Sequence, residues 1–177
     1  HLLYQLTDTS ASFCFQPPKF GCHHLFLDGS CTVEQHKQLQ LASWGVIDAT
    51  RGLVVSAGHL PGITQSIDRA EATALLSALR WGAHTDLALC LWSDSLSTVD
   101  LANHVMKFDH IPAGTANYEL WRLIQDALQD RAGACTLIRW VPSHISHEQA
   151  EDAFEDWLIH WNGLVDRLAV WINHQRP

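Results

Sequence analysis

The chain is short of positive charge. Eleven Lys and Arg stand against nineteen Asp and Glu in 177 residues, which leaves a net charge of −8 with His neutral. Phosphate binders usually carry basic patches, so tight, steeply salt-dependent nucleic-acid binding by this chain alone is not expected. Long apolar runs are missing as well. No stretch approaches the roughly 18–20 residues of a membrane span and no secretory signal is present, so the expectation is an intracellular protein, of cytoplasm or nucleus, with no membrane partner. The five cysteines are odd in number and lack any Cys-x-x-Cys spacing. They read as reduced thiols, not as a disulfide framework. Cys22-His23-His24 followed by Cys31 is the one hint of zinc, and no second ligand pair has finger-like spacing.

What the chain does have is core. Apolar residues make up 47%, and eight are Trp, which is ample for one domain. Residues 1–21, with Thr, Ser and Pro17-Pro18, show no sustained period and read as an arm or linker. Within them, Phe13-Cys14-Phe15 could dock on the core. Because the first residue is His and not Met, the chain is expected to be part of a longer polypeptide. The folded domain is then 22–177.

Apolar runs bounded by turns predict strands at 24–28, 42–48, 52–59, 87–92 and 135–141. Helical periodicity predicts helices at 68–81, 95–105 and 116–131, the first opened by an Asp68/Glu71 capping box. Residues 146–161 are acidic but periodic. They predict a helix opened by Ser146 and Gln149, with Phe154, Trp157 and Trp161 inward and Glu151, Asp152, Glu155 and Asp156 in solvent. Asn162-Gly163 should end it, with Asn162 capping a separate helix over 164–172; the rival reading is a mobile acidic lid. Three strands joined by short turns, then strands linked by helices, imply a mixed five-stranded sheet: a three-strand antiparallel meander plus two parallel strands.

Four carboxylates occupy suggestive places. Asp28 in LFLDGS and Asp94 in LWSDS each close an apolar strand, while Glu71 in DRAEATALL and Asp166 in WNGLVDRLA sit on the polar side of helices. Carboxylates that leave strand ends and helix faces toward one point can hold two hard divalent cations about 3.5–4 Å apart. His144, in WVPSH, follows a strand and a proline.

Taken in order, LFLDGS, RAE at a helix start, WSDS, WVPSH and N-x-x-x-D-x-L-A resemble the ribonuclease H family over residues 22–173. The wording is most like the domains attached to retroelement reverse transcriptases. The resemblance implies an α/β, ribonuclease-H-like sheet with helices on both faces. It implies Asp28, Glu71, Asp94 and Asp166 as ligands of two Mg²⁺ ions, with Mn²⁺ as a substitute, and His144 as the mobile-loop histidine that moves protons or helps product leave. His147 and His160 could take that role only if residues 145–161 rearrange the loop. It further implies Gly29, Ser30, Arg69, Ser95 and Asn162 near the substrate. Arg51, Arg69 and Arg139 are candidate phosphate contacts. The implied activity is endonucleolytic hydrolysis of the RNA strand of RNA–DNA hybrids, beside a reverse transcriptase domain in the same polypeptide. One alternative is a catalytically silent ribonuclease-H-like structural or binding module. Another is an exonuclease or integrase-like nuclease, which fits WVPSH and the last helix poorly. The chain departs from the family in three ways, one being Leu96, which stands where the free-standing enzymes tend to have a polar residue that touches a base. His144 and Asp166 lie about twice the usual distance apart, with 145–161 as the extra segment, and no basic helical handle follows the Ser95 helix, where Lys107 is the only cation.

Overall fold

The computed structural model describes residues 22–32, 39–83 and 85–175. The expected arm at 1–21, with its Phe13–Phe15 docking segment, lies outside the described residues. Strands β1 (His23–Cys31), β2 (Ala42–Asp48) and β3 (Leu53–His59) form the antiparallel meander. Helix α1 (Ile67–Trp81) leads to β4 (Leu89–Ser93), then α2 (Leu96–Phe108), α3 (Tyr118–Asp130), β5 (Thr136–Trp140) and α4 (Ala153–His174). The sheet order is β3-β2-β1-β4-β5, with β4 parallel to β1 and β5 parallel to β4.

Strand alternation sorts the core into two layers. Leu25, Leu27, Leu89, Leu91 and Ile138 join one cluster with Leu75 and Leu79 of α1, Val99 of α2 and Ile124 of α3. Their neighbours Phe26, Cys90 and Trp92 join the other, with Trp157, Leu158, Val165 and Leu168 of α4. Helices therefore cover both faces, as the sequence predicts.

The last segment departs from expectation. Residues 153–174 form one helix, not two, and it runs through Asn162-Gly163 without a break. A mid-helix glycine costs about 1 kcal/mol. The helix tolerates it because Trp157, Leu158, Leu164, Val165 and Leu168 make one buried stripe on the sheet. Asp152 caps it by accepting the Glu155 N–H at 2.8 Å. The Ser146/Gln149 capping box does form, but on a single 3-10 turn, His147–Gln149. Phe154 and Trp161 pack beside Trp157 as expected. Of the four acids placed in solvent, Glu151 and Asp152 are exposed, while Glu155 and Asp156 are half-buried. Asp156 meets His147 in an ion-pair contact, and Glu155 accepts the Glu151 N–H.

Smaller corrections concern helix starts and lengths. Ser66, not Asp68, caps α1, accepting the Arg69 N–H at 3.2 Å. Helix α2 continues to Phe108, past the expected stop at 105, and its cap Asp109 adopts a left-handed conformation with φ 50°.

Candidate active site

The site is built on a step in the sheet. β1 pairs with β4 only as far as Leu27 opposite Ser93, but pairs with β2 on through Asp28 opposite Gly45 to Cys31 opposite Ala42. Asp28 is therefore not the last residue of its strand, as expected, but the first beyond its parallel partner. β4 ends at Ser93, and Asp94 follows directly. On the other side of β1, α1 arrives very close. A Cβ on Gly29 would lie 2.8 Å from both Ala70 Cβ and Glu71 N. The missing side chain is what lets the first turns of α1 bring Glu71 beside Asp28.

Carboxylate oxygens of Asp28, Glu71 and Asp94 all lie within 4.8 Å of one another. Asp28 and Glu71 are only 3% and 4% exposed. Burial pushes the Asp28 carboxyl well above the ordinary carboxylate range, and the charges of Glu71 and Asp94 push it further. Glu71 is pushed up to about 8, by burial first and by Asp94 in addition, against the lowering effect of Asp28 and the Gly29 N–H. Asp94 is raised by burial first and by Asp166, while Asn162 and His144 act the other way.

Such an arrangement lacks a positive centre. Asp28 Oδ1 accepts the Gly29 N–H at 2.9 Å, but Asp28 Oδ2 and Glu71 Oε2 are buried with no hydrogen-bond partner. Orphaned buried acceptors are costly, and hard oxygen donors at this spacing suit a divalent cation of the Mg²⁺ class. The donor set fits.

Asp166 stands next to this trio. From α4 it lines a cavity of about 100 Å³ together with Asp94, Pro142, His144, Ile145 and Asn162. Its carboxyl contributes to the rise at Asp28 and Asp94. His144 is exposed on the loop after β5, in a left-handed conformation with φ 55°. Histidine is among the residues that enter this region more readily than most, and such conformations collect at functional loops.

The expected substrate contacts are largely engaged within the protein. Asn162 is buried in mid-helix and donates from Nδ2 to Asp94 Oδ2 at 3.3 Å. Ser30 Oγ accepts from Asn173 Nδ2 at 3.0 Å, and Ser95 caps α2, its Oγ 2.8 Å from Thr98 Oγ1. Arg69 donates to Glu119 at 2.6 Å and to Asn117 at 3.1 Å, tying α1 to the start of α3. Of the other arginines, Arg51 pairs with Asp48 at 2.9 Å and lies over the Trp81 ring. Arg139 lines a cavity with Cys22, Cys90 and Cys135. His147 and His160 lie 6.3 Å apart, ring centre to ring centre, and neither lines the acid cavity. Cys22 and Cys31, the zinc hint, sit at opposite ends of β1. Sequence reasoning missed Trp140, whose Nε1 donates to the Asp94 carbonyl at 3.2 Å and pins the end of β4. A Trp in a strand reads as core, so nothing in the spacing announces it.

The RNase H family profile matches residues 22–170, most of the chain. The chain belongs to the RNase H family. No curated protein sequence matches it. Among solved structures, this RNase H domain is similar to the prototype foamy virus protease-reverse transcriptase, at 17% identity and a TM-score of 0.69 over 97% of this chain. It spans 23% of that larger protein. It is similar to the isolated PFV RNase H domain (16% identity, TM-score 0.64, covering 86% of this chain and 94% of that one). RNase H1 of Halobacterium salinarum NRC-1 follows at 20% identity, with a TM-score of 0.52 over 88% of this chain and 100% of that one. At these identities the likeness concerns the fold. Among the described residues, no helix is long and apolar enough to cross a membrane.

Proposed function

We propose that this RNase H domain is a divalent-metal-dependent endonuclease that hydrolyses the RNA strand of RNA–DNA hybrids, as one part of a reverse-transcriptase polypeptide of retroelement type. The observation that carries the reading is the trio Asp28, Glu71 and Asp94, two of them buried with an unpartnered oxygen each. The similar foamy viral protease-reverse transcriptase, taken in complex with an RNA/DNA hybrid, supports the substrate class.

Asp28, Glu71 and Asp94, with Asp166 beside them, would hold two Mg²⁺ ions, with Mn²⁺ as a substitute. When bound, such ions supply an activated water and a sink for charge on the leaving 3′ oxygen. The rest falls to the chain. Asn162 and Trp140 hold Asp94 by its carboxylate and its carbonyl. Gly29 keeps Glu71 against Asp28. His144, on the exposed loop at the mouth of the acid cavity, exchanges protons with solvent and with the departing strand. With eleven Lys and Arg against nineteen Asp and Glu, partner domains supply most of the grip on the hybrid.

The deciding experiment incubates the chain with labelled RNA–DNA hybrid, duplex RNA and duplex DNA, with Mg²⁺ and with EDTA. Hybrid-only, Mg²⁺-dependent internal cleavage is expected. Absence of cleavage under all conditions would favour the silent structural module, and end-directed degradation or DNA cutting would point to the exonuclease or integrase-like reading.

A further inference from the structure

Three cysteines far apart in sequence meet at the opposite end of the sheet from the acids. Cys22, Cys90 and Cys135 line one cavity of about 370 Å³, with His24, Trp92, Leu137, Arg139 and Phe154 around them. Strand register places them. His23 lies opposite Leu89, and Leu89 opposite Thr136, so Cys22 and Cys135 flank Ala88 from either side. Cys90, two residues on, shares their face. The three grade from outside to inside: Cys135 is exposed, Cys22 half-buried and Cys90 4% exposed. The two thiols act on each other: Cys22 adds to the rise at Cys90, while Cys90 works against the rise at Cys22.

A metal site is the poorer reading of this cluster. Among the described residues, only the acid trio brings three ligand atoms within 4.8 Å of one another. His24 Nδ1 accepts from Trp92 Nε1 at 3.0 Å, which leaves the imidazole proton on Nε2. That nitrogen lies 3.8 Å from Cys22 Sγ. It faces the sulfur as a donor, not as a ligand, and an N–H donor favours negative charge on Cys22. Arg139 lines the same cavity, and its charge favours an anion at Cys90.

We propose that Cys22 and Cys90 are an oxidisable dithiol, which a hydroperoxide converts to a disulfide joining the start of β1 to β4. In the first step the Cys22 thiolate attacks one peroxide oxygen. The O–O bond breaks, an alcohol or water leaves, and Cys22 becomes a sulfenic acid. Cys90 sulfur then attacks the Cys22 sulfur. The S–S bond forms, the S–O bond breaks, and the hydroxyl departs as water with the Cys90 proton. One hydroperoxide is reduced by two electrons and two thiols are oxidised. The order follows from access, because Cys90 is buried behind Cys22. Burial also pushes Cys90 up to about 12 and raises Cys22, so the reaction should quicken as pH rises.

The test treats the reduced, desalted full chain with hydrogen peroxide at alkaline pH, alkylates residual thiols and maps peptides without reduction. A Cys22–Cys90 disulfide is expected in most chains, reversed by dithiothreitol, with a higher melting temperature while it lasts. Cys90→Ser should leave a Cys22 sulfenic acid that dimedone traps, and Cys22→Ser should leave Cys90 a free thiol. Cys31, half-buried on the same strand, is the internal reference. The proposal is overturned if Cys22 and Cys90 stay reduced while Cys31 oxidises. Pairing of either cysteine with Cys135 overturns it too. Neither outcome depends on whether the chain cleaves hybrids.

Discussion

The two ends of β4 each hold buried charge, and they handle it in opposite ways. At its start, Arg131 is 3% exposed, yet the guanidinium is saturated. Nη1 donates to the carbonyls of Gly82 and Thr85, Nη2 to those of Leu87 and Cys135, and Nε to Thr136 Oγ1, at 2.5–3.4 Å. Five donors meet five acceptors. Gly82 makes room, since a Cβ there would lie 3.0 Å from Nη1. At the other end, Asp28 and Glu71 are as deeply buried but keep unpartnered oxygens, beside a third acid. Burial alone does not separate a structural charge from a functional one; completeness of hydrogen bonding does. Arg131 finishes its network inside the fold, while the acids leave theirs open to a cation from outside.

The largest effect expected of breaking this contrast is at the acids. Asp28→Asn or Asp94→Asn should take hybrid cleavage to background while the cation-free protein melts no lower, or higher, because a repulsive charge is gone. Near-normal turnover in either variant, measured with labelled hybrid, would sink the two-metal reading. Arg131→Met should do the reverse, leaving carbonyls stranded at the starts of β4 and β5. A loss of roughly 2–4 kcal/mol is expected in urea unfolding, a large share of a typical domain's stability. Arg131→Lys should recover only part of it, since an ammonium has fewer donors and no planar fork. Full stability in Arg131→Met would show that the saturated network is dispensable.

His144→Ala should slow turnover by roughly 10²-fold with little change in hybrid affinity, as for a residue that moves protons. An unchanged rate, with a large loss at His147→Ala or His160→Ala instead, would reassign the role. A subtler test uses pH. Glu71 is raised from 4.5 to about 8, so between those values the folded chain without cation holds a proton that the unfolded chain has released. Stability from this group is therefore lost as pH rises through that window. In EDTA, wild type should lose melting temperature relative to Glu71→Gln between pH 5 and 8, and Mg²⁺ should restore it most at the alkaline end. Parallel curves for the two proteins would refute the sign.

The smallest effect belongs to Gly163. A Cβ there meets nothing within 4 Å, so Gly163→Ala should stabilise α4 by roughly 0.5–1 kcal/mol and leave cleavage intact. Destabilisation would mean that the helix needs its flexible point.

Much of this was legible in the residues. Strand alternation in β1 and β4, and the three-and-four spacing in α1 and α3, place the core directly. The acids at Asp28, Glu71 and Asp94 stand out because polar residues at the margins of apolar elements have few structural reasons to be there. The misreadings share one cause: long-range packing overrode a local signal. Asn162-Gly163 looks like a break until Trp157 and Leu168 are both seen on the sheet, and Asn162 reads as a cap until its partner, 68 residues earlier, is known. Arg131 is invisible as a buried group, because its five acceptors come from two separate stretches of chain, 82–87 and 135–136. The packing role of Gly29 is equally hidden in the residues, since a Cβ there would meet Ala70 and Glu71, more than forty positions away.

The unbroken course of α4 makes it a ruler. Trp157 anchors one end under the sheet and Asp166 sits nine residues on, about 13–14 Å along a rigid rod. Adding or removing a single residue between them would swing the carboxylate by about 100° around the helix axis, away from Asp94. The same change in the stretch from 145 to 151 alters only the slack before the rod begins. Variation in length within descendants of this chain should therefore collect before Asp152 and spare the interval from Trp157 to Asp166, where the sequence is free to change its letters but not its count.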